Sequence, residues 1–497
     1  MGSACEDGLV ARTSTVHLSS LFASSLLAAG TTLGACVAPV PTAPVADSGN
    51  VRPDAIAIAD GAIPSVDSGY MRPDAPSLPP ADLDVTLPYE GPEATADLDV
   101  SAALGRLDVV FSIDATGSYG GEIDELQAQL TEIVIPGLVA AVPDVGFAVA
   151  RFEEVPFAPF GRTTDHMYTL FTGVTTNTTR VAGAVAQLDM PLGDGGDEPE
   201  AGFESLYQIA RGTGLSVRGT ILAAPWAGTA APGGGVAPGV GFRTGAFRVV
   251  VHATDAPSHD SSDYGASVPG SHSRAETLAA LTSEQIRVIG IASSPRARPD
   301  LESIARATGA ISPAVSGQCA TGVSGARRAA DPDGTCPLVY DIDSSGLGLS
   351  SAVVRAIGSV TNALTYDMVW GETDDDRLGF VQSIEATTAT PPMGGTAPTK
   401  ADLHPSGDGV LDTFEGVRSG TTLAFRAHLA NRSVEPADYD QVFRVTIVVR
   451  GDGLELVRRT IRITVPRGRL DAGTTRPDAG AMDASIDSGS IDAALGQ

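Results

Sequence analysis

One short turn carries most of the side chains in this sequence that could do chemistry. Asp114, Thr116 and Ser118 occupy alternate positions directly after the apolar residues 107–113. The length of that run and its β-branched and aromatic content are typical of a buried strand, and a helical pattern of apolar residues follows the turn. The three oxygen-bearing side chains are therefore expected at the carboxyl end of a strand, where open α/β sheets bind their ligands.

Further acidic residues occur where the same fold would bring them to this turn. Glu154 and Asp255 each follow a predicted strand, and Asp197 and Glu200 lie in a Gly-rich acidic loop before a predicted helix. Carboxylate and hydroxyl oxygens together suit a hard cation such as Mg²⁺ or Ca²⁺. The turn alone would be read as a helix cap, since Thr and Ser cap helices readily. Together with the distant carboxylates it predicts a metal site.

The elements that must position these residues alternate between strand and helix from residue 105 onward. Strands are predicted at residues 107–113, 146–152, 247–253 and 287–292, and helices at residues 122–135, 179–188, 202–210, 274–284, 301–307 and 351–360. This alternation predicts an α/β fold with a doubly wound, Rossmann-like sheet that has helices on both faces.

After residue 370 the pattern changes to strands, at residues 422–430, 442–449 and 460–465, which predict a β-sandwich. Short strands within residues 82–101 could complete it, so that the α/β domain is inserted in the sandwich or followed by it. The predicted domains are a signal peptide (1–35), a disordered Pro/Asp/Ala-rich linker (36–81), the sandwich (82–103 and 372–466), the α/β domain (104–371) and a disordered tail (467–497).

Composition limits the function classes. The chain of 497 residues has 60 acidic and 32 basic side chains and a net charge of −28, which repels phosphate backbones and argues against nucleic-acid binding. Lys400 is the only lysine, and every other basic residue except the histidines is arginine. A P-loop needs a lysine on the phosphates, so a P-loop nucleotide site is not expected.

The N-terminus predicts export. The apolar run of residues 18–33 is too short and too rich in Ser, Ala and Gly for a membrane span. It ends in Leu33-Gly34-Ala35-Cys36, which resembles the lipobox of bacterial lipoproteins and implies lipidation of Cys36. The alternative is a plain secretory signal cleaved near Ala35. Val37 resembles the sorting pattern of outer-membrane lipoproteins, so the membrane is expected only through a lipid anchor. Without that anchor the protein would be periplasmic or secreted.

Two cysteines remain in the predicted folded part. Cys319 and Cys336 flank a loop rich in Gly, Arg and Asp. In an exported protein they are expected to form a disulfide, and closing so short a loop contributes about 3 kcal/mol through loop entropy.

Several motifs together resemble a known family. Asp114-x-Thr116-x-Ser118 matches the D-x-S/T-x-S signature of von Willebrand factor A domains and their metal-ion-dependent adhesion site. Residues 196–204 resemble the D-x-P-E-G-G-F-D stretch of integrin β-subunit I-like domains. Residues 242–256 and 345–350 resemble two later segments of that family. The similarity covers roughly residues 104–360. The sandwich resembles the integrin hybrid domain, which is likewise split by the I-like domain.

The resemblance implies roles for individual residues. Thr116, Ser118 and Glu200 would bind Mg²⁺ or Mn²⁺ directly, and Asp114 and Asp255 would act through water or orient the hydroxyls. The open position of the metal would take an Asp or Glu of a protein partner. The implied function is a metal-dependent adhesion or protein-binding module, not an enzyme.

A second, weaker site is also implied. Glu154, Asp197, the Pro199 carbonyl and Glu200 resemble the neighbouring Ca²⁺ site of the family, although Gly195 replaces one expected ligand. A third site of the family uses two acidic residues just past the signature. Gly121 and Glu122 stand there, so it is not expected. The loop that sets ligand choice in integrins is reduced to residues 160–167, so the identity of the partner does not transfer.

Two other functions stay open. One is a structural envelope protein with a Ca²⁺-stabilised fold. The other is a metal-dependent hydrolase, such as a phosphatase with Asp114 as nucleophile, although Thr116 stands where that class usually has a second Asp. The histidines lack metal spacing: His252 is predicted in the core, and His259 and His272 on the surface.

Overall fold

The apolar run before Asp114 forms the central strand of a six-stranded sheet. A computed structural model describes residues 81–189 and 191–468, which all fall in one structural unit. The predicted signal peptide, Cys36, the linker up to residue 80 and the tail beyond residue 468 lie outside these ranges. Within them, no helix combines the length and apolar character needed to cross a membrane.

The strands, in chain order, are β1 (Leu83–Thr86), β2 (Ala94–Ser101), β3 (Arg106–Asp114), β4 (Asp144–Phe152), β5 (Thr169–Thr175), β6 (Leu215–Val217), β7 (Thr220–Ala223), β8 (Phe247–Thr254), β9 (Ile286–Ala292), β10 (Ile311–Pro313), β11 (Gln318–Cys319), β12 (Arg328–Ala329), β13 (Thr335–Pro337), β14 (Val339–Asp341), β15 (Thr365–Thr373), β16 (Val381–Thr390), β17 (Thr399–Ala401), β18 (Thr413–Arg418), β19 (Thr422–Leu429), β20 (Gln441–Gly451) and β21 (Leu454–Val465).

The helices are α1 (Gly120–Gln129), α2 (Ile135–Ala141), α3 (Thr178–Val185), α4 (Gly202–Arg211), α5 (Pro238–Gly241), α6 (Ser261–Tyr264), α7 (Arg274–Ser283), α8 (Arg298–Ala307) and α9 (Leu349–Asn362). The single helix predicted at residues 122–135 is divided. A π-helical turn at Leu130–Val134 separates α1 from α2. Pro136 lies in the first turn of α2, and because proline has no N–H to donate, the regular hydrogen-bond ladder cannot continue through it.

The α/β sheet has the strand order β14-β9-β8-β3-β4-β5. Its strands are parallel except for β5, which pairs antiparallel with β4. Both faces are covered: Val109 and Phe111 pack into one hydrophobic core with α1 and α9, and Val110 packs into another with α4 and α7. Strands buried on both faces are continuous apolar runs, which is why the sequence predicts them well.

The strand order reverses beside β3. The chain runs from β3 outward to β4 and β5, and then returns to β8 on the other side of β3. The connections therefore diverge at the carboxyl ends of β3 and β8 and leave a crevice there. Asp114 is the last residue of β3 and Thr254 the last of β8, so the candidate residues meet at this crevice.

The sandwich has one sheet with the order β1-β21-β20-β15-β18-β17 and a second with the order β16-β19-β2, and side chains of both sheets share a third hydrophobic core. Because β1 and β2 precede the α/β region and β15–β21 follow it, the α/β region is an insertion between β2 and β15. The boundary predicted at residue 371 falls inside β15. Tyr366 and Val369 of that strand pack in the sandwich core, so the change of domain lies before Thr365.

The two parts are in direct contact at the start of β3. The Gly105 N–H donates to the Glu455 carbonyl over 3.2 Å, and Arg106 pairs with the Glu455 carboxylate at 3.1 Å. A Cβ added to Gly105 would lie 2.1 Å from the carbonyl oxygen of Leu456. Glycine is required at this position because a backbone atom fills the place of a side chain.

Gly105→Ala is therefore expected to destabilise the protein by about 1–3 kcal/mol, the usual cost of overpacking, and to lower the thermal midpoint. Gly183→Ala is the matched control. Gly183 lies on the exposed face of α3, with nothing within 4 Å of the added Cβ, so this change should raise stability by about 0.5–1 kcal/mol. Equal midpoints for the two variants in thermal unfolding would contradict this description of the junction.

Candidate metal centre

Asp114 lies fully buried at the base of the site and orients its neighbours. Its Oδ1 accepts hydrogen bonds from the Thr116 N–H at 3.0 Å and the Thr116 hydroxyl at 2.7 Å. Its Oδ2 accepts from the Thr254 hydroxyl at 2.7 Å. Both carboxylate oxygens are engaged, so Asp114 fixes the direction of the Thr116 oxygen.

A chain of oxygens continues from Thr116 toward solvent. Thr116 Oγ1 lies 3.2 Å from Ser118 Oγ, which donates to Asp255 Oδ1 over 3.3 Å. Adjacent ligand oxygens of an octahedral cation with bonds of about 2.1 Å are about 3 Å apart. The spacing of these oxygens therefore matches one edge of such a coordination shell.

The loop that carries Glu200 is hydrogen-bonded to the segments that follow β3 and β8. These bonds bring Glu200 to the same crevice as Thr116 and Ser118. The Gly117 N–H donates to the Gly193 carbonyl at 2.9 Å, and the Gly193 N–H donates to the Ala115 carbonyl at 2.8 Å. At the other end of the loop, the Glu200 N–H donates to the Pro257 carbonyl at 3.0 Å. The loop is thus held between the segment after β3 and the segment after β8.

Thr116, Ser118, Glu200 and Asp255 line one open cleft of about 670 Å³. Four of the five residues predicted for the first metal site therefore share this cleft, and Asp114 lies beneath it. Glu200 is 5% exposed, and its Oε2 has no hydrogen-bond partner within the described residues. An ionised carboxylate without a partner is costly to bury.

The carboxyl groups at this edge have strongly shifted pKa values. Burial raises the pKa of Glu200 to about 11, with Asp114 and Glu154 adding repulsion. Burial likewise raises the pKa of Asp114 to about 6, of Glu153 to about 7 and of Glu154 to about 8. The common cause is that these acids leave water and find more negative than positive charge around them. An all-oxygen, anionic and partly unpartnered set of this kind fits a hard divalent cation.

The residues predicted for the second metal site do not surround one open position. Both oxygens of Glu154 accept from the Tyr264 hydroxyl, at 2.8 and 3.1 Å. His259 lies between the other predicted ligands, with Nδ1 3.7 Å from Glu154 and Nε2 3.4 Å from Asp197. Pro199 is half-buried beside Glu200. A cation bound by both Glu154 and Asp197 would require His259 to leave this space.

The prediction that His259 lies on the surface is wrong. The residue is 4% exposed, because its ring stacks on Tyr264 and meets the edge of Phe160. His272 is half-buried, and its ring Nδ1 is hydrogen-bonded to the Glu204 carboxylate. The prediction that His252 lies in the core is confirmed: it is fully buried, and its Nδ1 is 2.9 Å from the Ser112 hydroxyl.

Three acidic residues at this edge were not among the predicted ligands: Glu122 and Glu153, which the sequence places near the turn without a ligand role, and Asp165, which sequence reasoning missed. Glu122 is buried in the first turn of α1, and its Oε2 has no partner in the described part of the chain. Glu153 accepts from the His166 N–H at 2.6 Å. Asp165 accepts from the Asp194 N–H at 2.8 Å and so connects two loops of the cleft. For Glu153 the signal was its position directly after a predicted strand, whereas Asp165 carried no such signal.

Two features lie away from the cleft. Cys319 and Cys336 form a disulfide, as predicted. Asp402, Asp408 and Asp412 bring ligand atoms within 4.8 Å of one another in the sandwich. Asp402 accepts from the Gly407 and Gly409 N–H groups, and Asp412 from those of Leu403 and His404. These carboxylates order their own loop.

Comparisons with known proteins add little. No family model matches the chain, and no curated protein matches it. Among solved structures, the chain is similar to proximal thread matrix protein 1 of the mussel byssus, with 14% identity and a TM-score of 0.28. The similarity covers 54% of this chain and 48% of the mussel chain, so it spans about half the length of each. A similarity this weak supports no statement about fold or function.

The pKa values predict how stability depends on pH when metal is removed. The unfolded state ionises its glutamates near pH 4, whereas the folded state keeps Glu154 protonated up to about pH 8 and Glu200 up to about pH 11. Stability from these groups is therefore present at low pH and lost as pH rises through the folded values. In EDTA, the free energy of unfolding should fall between pH 7 and 8.5, where free histidines are largely neutral, by up to about 1.4 kcal/mol per pH unit for each group that is still protonated in the folded state, and the thermal midpoint should fall with it.

Glu200→Gln is the control for this effect, because the amide keeps the shape and removes the titrating group. Its midpoint should fall less steeply over the same pH range. A metal-free wild-type protein whose midpoint stays constant or rises from pH 7 to 8.5 would contradict the assignment of protonated, buried carboxyls.

Proposed function

We propose that this protein is a metal-dependent adhesion or protein-binding module of the von Willebrand factor A class. Thr116, Ser118 and Glu200 would bind Mg²⁺ or Mn²⁺, and Asp114 and Asp255 would orient the hydroxyls or bind through water. The observation that carries this proposal is the buried, unpartnered oxygen of Glu200 beside the Thr116–Ser118–Asp255 chain of oxygens. The resemblance to integrin β I-like domains independently implies the same ligands.

The chemistry of this donor set favours an acidic partner. Two neutral hydroxyls and one direct carboxylate leave a divalent cation with net positive charge, and the cleft leaves one side of the set open to solvent. A carboxylate from an Asp or Glu of a protein partner would complete the shell of such a hard ion. Arg162 and Arg296 also line the cleft, but Arg296 pairs with Glu198 at 2.7 Å, so the attraction for an acidic partner would come from the cation.

We propose that the protein is exported from the bacterial cytoplasm. The Leu33–Cys36 motif supports an outer-membrane lipoprotein, with periplasmic or secreted protein as the alternative. The disulfide is consistent with export, since disulfides persist in oxidising compartments. Ca²⁺ at the second site formed by Glu154, Asp197, Pro199 and Glu200 stays a weaker prediction, given the position of His259.

A structural protein with a Ca²⁺-stabilised fold is the second candidate. It is favoured by the same buried carboxylates, since any cation at this edge would stabilise the fold whether or not a partner binds. A hydrolase is supported less well. Asp114 is fully buried and does not line the cleft, and both its oxygens accept hydrogen bonds from threonines, which suits an orienting group better than a nucleophile.

Isothermal titration of the metal-free protein tests the cation site. Wild type should bind Mg²⁺ or Mn²⁺, and Ser118→Ala and Glu200→Gln should each weaken binding by more than about tenfold, the lower limit for changes around a metal site. Asp408→Asn is the control, because it lies in the separate acidic cluster of the sandwich. Binding that is lost in Asp408→Asn and kept in Ser118→Ala would assign the ion to the sandwich instead.

Partner recognition is tested with an array of surface-displayed peptides in which each Asp or Glu is paired with its Asn or Gln counterpart. The proposal expects binding that requires Mg²⁺ or Mn²⁺, requires the acidic residue and is lost in Ser118→Ala. If Ca²⁺ raises the thermal midpoint of the protein and acidic and amide peptides behave alike, the structural-protein candidate is correct.

A further inference from the structure

A second large cavity lies at the opposite end of α9 from the metal cleft. It has a volume of about 860 Å³ and is bounded by the disulfide segment, the last turns of α9 and the sandwich. α9 begins just after Gly346, which packs against Glu122 at the metal edge, and ends at Asn362 in this cavity. A helix of 14 residues is about 21 Å long. The cavity and the metal cleft have no lining residue in common.

The charge of this cavity is opposite to that of the whole chain. Arg327, Arg355 and Arg418 line it, and no Asp or Glu does so within the described residues. In those same ranges none of the three arginines forms an ion pair, although the adjacent Arg328 pairs with Asp341 at 2.8 Å. In a chain with 60 acidic and 32 basic residues, three arginines left without carboxylates in one cavity are available to an outside anion.

The contacts that these arginines do make are weak and neutral. Arg355 donates to the Ser351 hydroxyl at 3.1 Å, and Arg327 donates to the Gln318 amide oxygen at 3.3 Å. Neither contact neutralises a guanidinium group. A carboxylate or sulfate would gain charge-assisted, bidentate hydrogen bonds from such groups.

The rest of the lining suits a hydroxylated molecule better than a simple ion. Four residues with hydroxyl or amide side chains line the wall: Ser312, Ser359, Asn362 and Ser419. The carboxyl end of α9 also faces the cavity, and its terminal carbonyls carry partial negative charge. The partial negative charge repels a bare anion, whereas the carbonyl oxygens that carry it can accept hydrogen bonds from hydroxyl groups. Pro313 and Pro392 add apolar surface.

We propose that this cavity binds an anionic carbohydrate. The arginines hold the carboxylate or sulfate group, the helix carbonyls and side-chain amide accept from the sugar hydroxyls, and the prolines pack on the apolar face of the ring. The volume lies within the range of small-molecule sites, about 300–1,000 Å³. Binding requires no metal, so it is independent of the cleft at Glu200.

Titration calorimetry of the full chain in EDTA tests this proposal. The probes are a hexamer of galacturonic acid, a heparin-derived hexasaccharide, neutral maltohexaose and sodium sulfate. The two acidic hexasaccharides separate a carboxylate ligand from a sulfate ligand. At least one of them should bind, and maltohexaose and sulfate should bind at least about tenfold more weakly. Arg355→Gln and Arg418→Gln should each lower the affinity for the acidic sugar by a similar factor, as expected for a lost charge-assisted contact.

Arg377→Gln is the matched control, because Arg377 is exposed, lies outside the cavity and loses the same charge. The affinity of the Arg377→Gln variant for the acidic sugar should equal that of wild type, and Ser118→Ala should also bind this sugar with wild-type affinity. The proposal is overturned if neither acidic hexasaccharide binds, if sulfate binds as tightly as the sugar, or if Arg377→Gln weakens binding as much as Arg418→Gln does. Thermal midpoints of all variants verify that each is folded.

Discussion

The repulsion among buried carboxylates at and beside the carboxyl ends of β3 and β4 is the constraint on which the rest of the structure depends. Asp114, Glu122, Glu153, Glu154 and Glu200 are each at most 5% exposed, and Arg151, 3.4 Å from Glu153, is the one arginine paired with any of them in the described ranges. Such a cluster is stable only if its members are protonated, hydrogen-bonded or bound to a cation. The raised pKa values describe the first two solutions, and the proposed divalent ion would be the third, so cation binding would stabilise the fold at this edge.

The opposite end of the same sheet shows what a purely structural buried charge looks like. Asp108 is also fully buried, yet Arg243 donates to it from its backbone N–H at 2.7 Å and its Nε at 2.6 Å. Arg106 extends that network to Glu455 of the sandwich. The acid at the base of the sheet has a matched guanidinium group, whereas Glu200 at the crevice has none among residues 81–189 and 191–468. This contrast within one sheet is why we propose the crevice, and not the base, as the functional edge.

Two surfaces of opposite charge are therefore connected by α9. The helix begins just after Gly346, which packs against Glu122. Its last turn borders the cavity lined by Arg355 and Arg418. The sandwich contributes to the second surface and not to the first. The insertion of the α/β region between β2 and β15 thus does more than connect two folds, because it creates the arginine-lined cavity at their boundary.

The sequence by itself determined the buried parallel strands, most of the helices and the position of the turn with Asp114, Thr116 and Ser118, because a strand covered on both faces is an apolar run and a helix packed on one face has a clear period. It missed β5, β15 and β16, whose polar and threonine-rich residues face partly toward solvent. Only the tertiary structure placed His259 between Glu154 and Asp197 and left Glu200 without a counter-charge. Burial and charge balance are sums over neighbours from distant parts of the chain, and no local pattern contains them.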